Sequence, residues 1–135
     1  MVHQIIKGVF ILMMAAIILP AFKSKEYKPS PLAKLMVQMN QEMRDYRQRV
    51  IDGKDIPDLE KRWKKMLTAE PTDASVKSEK FNAFATVFFE RCADLKNAQV
   101  TDRKIAFNNM VSNCVTCHES FCPGPISMIK RLHIP

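Results

Sequence analysis

From Leu32 onward, apolar residues return every three or four positions, and that rhythm constrains the chain more than any other feature. Leu32, Leu35, Met36, Met39, Met43, Tyr46 and Val50 form one stripe about five turns long, as in a helix that buries one face. Ser30-Pro31 can start it, with serine as the cap and proline in the first turn, where no N–H is needed. Asp52-Gly53 stops it, because glycine accepts the left-handed cap. A second helix is expected with Asp55 as its cap and Pro57 in its first turn. Ile56, Leu59, Trp63 and Met66 carry its spacing until Glu70-Pro71 ends it. A third is expected from about Val76 to Ala98, with Phe81, Phe84, Phe88, Cys92 and Leu95 on one face. Thr101 is read as the cap of a fourth, with Ile105, Val111, Cys114, Val115, His118 and Phe121 inward. Cys122-Pro123-Gly124-Pro125 terminates it.

No segment alternates with period two for long, and three glycines in 135 residues argue against a loop-rich β-sandwich, a phosphate-cradling loop or a dinucleotide fingerprint. Connections at 52–54 and 99–101 are short, so the helices they join should be antiparallel neighbours. The expected fold class is all-α: an antiparallel four-helix bundle followed by a short C-terminal tail, in which Ile126, Ile129 and Leu132 lie against the bundle.

Ahead of this pattern, residues 1–22 read as a signal peptide or an N-terminal anchor. Lys7 precedes an uncharged run of 15 residues, Gly8 to Phe22. That suits the apolar region of a secretory signal better than a span of about 20 residues. If Ile5 and Ile6 join the run, residues 5–22 anchor the chain to a membrane. Either way the folded part is expected to be periplasmic or otherwise extracytoplasmic. Residues 23–31 form a polar linker, and residues 32–135 the folded domain.

The net charge is +7, and loss of the leader removes only Lys7. Basic residues are scattered, as at Lys61, Arg62, Lys64 and Lys65, with no run interleaved with aromatics. Nucleic acid is therefore not an expected partner. A solvated face is the ordinary reading of these charges; docking to an acidic protein is the functional one.

Chemistry concentrates at Cys114-Val115-Thr116-Cys117-His118. This is the spacing of covalent c-type haem attachment. Two thiols add to two vinyl groups on adjacent edges of the macrocycle, and the adjoining imidazole ligates the iron. At ~100° per residue, Cys114, Cys117 and His118 fall at about 0°, −60° and +40°, within one arc of a helix. One covalent haem c is therefore expected, with His118 as proximal ligand. Three other readings compete. A thioredoxin-type dithiol belongs at a helix N-terminus after a strand. A zinc knuckle needs a fourth ligand, for which Cys122 is available. A plain Cys114–Cys117 disulfide is the third.

With a Met-bearing first helix and this motif ending 17 residues before the C-terminus, the chain resembles the class II cytochromes c. These are bundles of the cytochrome c-prime type. The resemblance covers about residues 31 to 121 and is specific at Cys114, Cys117 and His118. It implies that the first helix supplies the residue over the open face of the iron. Methionine there makes a six-coordinate carrier of single electrons, not an enzyme, and raises the reduction potential. An apolar residue without a donor leaves a five-coordinate haem that binds NO or CO for sequestration or sensing. The family's distal residue is followed by core positions three, seven and ten residues later. Met36 fits that spacing with Met39, Met43 and Tyr46, and Met39 is the second choice. A methionine stripe is also ordinary packing. Arg44 and Arg47 read as surface charge, with the haem carboxylates as alternative partners. The resemblance further implies a redox partner protein and allows a homodimer.

Cys92 and Cys122 remain, an even number for an oxidising compartment. If the third and fourth helices pair about residues 99–100, Cys92 faces roughly Phe107. That puts Cys122 about 22 Å away, beyond disulfide reach. Cys92 is thus expected as a buried small apolar residue, and Cys122 as unpaired.

Overall fold

A computed structural model describes residues 28–135; the expected leader (1–22) and most of the linker (23–31) lie outside the described residues. The described chain is all-α and has no strand. Helix α1 spans Pro31–Ile51, α2 Leu59–Trp63, α3 Glu79–Asn97, α4 Arg103–Phe121 and α5 Ile126–Lys130. Two 3-10 turns, Lys64–Leu67 and Ala74–Val76, lie between α2 and α3. No helix among the described residues is long and apolar enough to cross a membrane.

Helix α1 begins as its sequence dictates. Ser30 Oγ accepts the Ala33 N–H at 3.2 Å, and Pro31 occupies the first turn. Gly53 ends the helix at φ 65°, where any other residue would be strained. Leu32, Met39, Met43, Tyr46 and Val50 are buried along its inner face.

The second helix differs from expectation. It starts at Leu59, capped by Asp58, whose Oδ1 accepts the Lys61 N–H at 3.2 Å. Asp55 caps nothing. Backbone carbonyls at the expected start are bonded by arginines from elsewhere, and that of Asp55 is the one that would open such a helix. Arg49 Nη1 donates to Asp55 O at 3.3 Å, and Arg103 Nη1 donates to Lys54 O at 2.9 Å. The segment before Asp58 is held non-helical, and Ile56 is buried beneath it. After Trp63 the chain tightens into the 3-10 turn, which still buries Met66.

The third helix is shorter than expected at its start. Ser78 Oγ caps it by accepting the Phe81 N–H at 3.3 Å, and Val76 belongs to a separate turn capped by Asp73. In α4, Asp102 rather than Thr101 is the cap residue. Ile105, expected inward, is 63% exposed. Phe107, Met110 and Val111, all fully buried, fix the inner face of α4, and Ile105 lies two residues from Phe107, about 200° around the helix.

Trp63 is the centre of the core. It is fully buried, with Tyr46 and Phe88 each 5.7 Å away by ring centroid. Its indole N–H donates to Glu42 Oε2 at 2.8 Å. Arg62 closes a fork on the same carboxylate at 2.6 and 2.7 Å, and Gln38 donates at 2.7 Å. The Arg62 hydrogen bonds, opposed by burial and aided by Gln38 and Trp63, hold the Glu42 carboxyl down at about 2. A carboxyl whose folded pKa is depressed stabilises the fold above its unfolded value, and that contribution is lost as pH falls from there through about 2. We expect the denaturant midpoint of the protein to drop over this acid range and Glu42→Gln to flatten the slope. Glu42→Ala should cost about 1–3 kcal/mol at neutral pH by leaving the indole N–H buried and unpaired.

The C-terminal tail is tightly docked. Ile129 and Leu132 are buried, and the Asn108 side chain brackets Ile134, donating to its carbonyl and accepting its N–H, both at 2.9 Å. Ser112 Oγ meets His133 Nε2 at 3.2 Å. Arg47 reaches the His133 carbonyl at 3.5 Å, tying the tail to α1 as well as α4.

Candidate functional site

The late part of α4 carries the cysteine–histidine motif because nothing there breaks the helix before Cys122. Cys114, Cys117 and His118 all open into one cleft. Met36 and Met39 of α1 face it, together with Met66 from the 3-10 turn. Phe81, Phe84, Ala85 and Phe88 of α3 complete the wall, with Asn113 as its one neutral polar side chain. The cleft has a cavity volume of ≈ 40 Å³, well below the roughly 300–1,000 Å³ of usual ligand pockets, so a ligand as large as a porphyrin would have to part its walls. Phe121 closes the α3–α4 side, edge-on to Phe81 and Phe84 at 6.0 and 6.1 Å.

Each motif side chain has a distinct electrostatic setting. Burial, with its neighbour Cys117, pushes the Cys114 thiol up to about 12. Burial, with Cys122, pushes the Cys117 thiol up to about 11. Both are protonated at neutral pH, the opposite of the activated dithiol of a thioredoxin-type centre. Burial also holds the His118 imidazole below its ordinary value, against the pull of the Cys122 carbonyl. His118 Nδ1 lies 3.1 Å from that carbonyl oxygen. A carbonyl can only accept, so this contact is a hydrogen bond in the tautomer that has the proton on Nδ1, which leaves Nε2 its lone pair. This is the tautomer and orientation that a metal-ligating histidine takes from an outer hydrogen bond. Cys122 Sγ sits 3.2 Å from the same Nδ1.

All four cysteines are free thiols. Cys92 is buried, and its Sγ meets Met110 Sδ at 3.7 Å. The α3–α4 register is therefore about one turn from the expected facing of Phe107. From Met110 to Cys122 the helix still runs about 18 Å, too far for a bridge. Among the described residues no three His, Cys, Asp or Glu side chains form a group that could hold a metal ion, so the four residues of a zinc knuckle are not assembled.

The donor types match those a haem would use, with two thiols and an imidazole from α4, thioethers from α1 and the 3-10 turn, and phenyl rings from α3; the match is in chemistry and not in size. Met36, the first choice for a distal ligand, is half-buried at the cleft, and Met39 lines it at 7% exposure. Met43 is buried but not part of the lining. Arg44 and Arg47 stand outside it. In the sequence Met66 and the α3 phenylalanines read only as core, and nothing marks Asn113 beyond its place next to Cys114. No protein-family model, curated protein or solved structure matches the chain.

Proposed function

We propose that this protein is an exported c-type cytochrome that carries single electrons, built as an antiparallel four-helix bundle of the class II type. One observation carries the reading: Cys114, Cys117 and His118 share an apolar cleft with Met36 and Met39. In it, His118 keeps Nε2 free because Nδ1 is bonded to the Cys122 carbonyl. Cys114 and Cys117 would hold one haem covalently, and His118 would ligate its iron. Bound there, haem supplies a metal that gains and loses one electron. Met36 is the proposed sixth ligand, with Met39 second, and methionine opposite histidine favours a raised potential. The phenylalanine wall keeps water from the ring and lowers the local polarity, which also tunes the potential. The basic chain, at +7, suits an acidic redox partner met outside the cytoplasm.

An optical spectrum of the exported protein tests this. We expect a low-spin ferric state with a methionine–sulfur band toward the red. Met36→Ala should abolish that band and yield a high-spin form that binds CO on reduction. The same change in Met39→Ala alone would move the assignment to Met39. A parent that is high-spin and takes up CO readily would make it a gas-binding haem protein instead. A colourless preparation would leave a thiol or zinc protein.

A further inference from the structure

We propose that Lys77 is the counter-cation for a carboxylate of the bound haem, fixing the orientation of the ring at the Met66–Phe81 end of the cleft. This rests on the haem reading above.

Lys77 stands just before α3, outside the cleft lining, and its ammonium is held against two residues that form that lining. Nζ donates to the carbonyls of Met66 at 2.7 Å and Leu67 at 3.0 Å, and it lies 4.6 Å over the Phe81 ring. Met66 and Phe81 both line the cleft. An ammonium has three N–H donors, and these two carbonyls take two of them. Among the described residues no carboxylate closes to ion-pair distance of Lys77. Burial disfavours its charged form, and the more distant charge of Glu70 only partly offsets this. A half-buried cation without a counter-charge costs free energy that an incoming anion would recover.

Haem brings two carboxylates, and the lining offers them no cation and no neutral polar side chain but Asn113. Arg47 is engaged with the tail carbonyl and Arg44 is exposed. Lys80, 5.9 Å over the Phe121 ring, adds a second positive charge on the first turn of α3. A clip on two carbonyls alone would need donors but no charge, which makes the two roles separable.

The experiment compares holoprotein carrying Lys77→Gln, Lys77→Met and Lys77→Arg by midpoint potential, by the haem-carboxylate bending mode in resonance Raman and by thermal stability. Loss of a nearby cation favours the oxidised form. We expect Gln and Met each to shift the redox equilibrium about tenfold, or ~59 mV for one electron, and to move the bending mode. Arg should stay within about twofold of the parent in potential. Unchanged potential and Raman mode in Gln and Met, with lower thermal stability in Met, would show a carbonyl clip only and overturn the proposal. Should neither neutral variant accumulate, Arg against parent decides by the Raman mode. The fork geometry of Arg must shift the band if the pair exists, and an identical band overturns it. A parent without haem removes the underlying reading and this inference together; a haem-bearing parent with insensitive variants removes this inference alone.

Discussion

Replacing both Cys114 and Cys117 by alanine is expected to abolish covalent pigment completely. Both thiols stand in the cleft with His118, and in the proposed holoprotein each forms a thioether to the macrocycle. Thioethers survive unfolding, whereas ligation by His118 does not. The parent should therefore stay coloured through denaturing electrophoresis and weigh one haem more than its polypeptide, while the double variant runs colourless at the bare mass. Either single variant keeps one link and should retain part of the pigment. The double variant should also melt lower, because a cleft walled by Phe81, Phe84 and Phe88 would lose the apolar ligand that fills it. A parent with the mass of bare polypeptide would end the haem reading.

The second large effect is on stability. Trp63→Ala should cost about 3–5 kcal/mol, a large share of the 5–15 kcal/mol that holds a typical domain folded. The indole is fully buried between Tyr46 and Phe88, and it anchors the five-residue α2, which is too short to persist without packing. The loss should lower the melting temperature by on the order of 20 °C. Phe88 also lines the cleft, so in the proposed holoprotein the variant should hold the haem in a looser, more heterogeneous pocket, visible as broadened absorption. Trp63→Phe keeps a ring and removes the donor to Glu42, and should cost only about 1 kcal/mol. A loss under about 1 kcal/mol for Trp63→Ala in a denaturant titration would contradict the central place of this residue in the core.

Local rules fixed much of the molecule in advance. The stripe from Leu32 to Val50, the Ser30-Pro31 start and the Gly53 stop are each satisfied within a few residues of chain, so α1 could be read directly. The same holds for the arc that gathers Cys114, Cys117 and His118, since helical geometry alone sets it. Where distant groups competed, local reading failed. Arg49 and Arg103 claim the carbonyls ahead of Asp58 and delay α2. The fully buried Phe107, Met110 and Val111 turn Ile105 outward despite its apolar side chain. The contact of Cys92 with Met110 sets a register that no count of loop residues could supply.

The amino-acid order by itself determined that this chain is helical and that one turn of its last long helix bears two thiols and an imidazole side by side, because both follow from intervals of three and four residues. Only the tertiary structure decided what faces that turn. Met36, Met66 and Phe81 converge there from separate segments, through contacts whose energy depends on how the helices pack, not on their spacing along the chain.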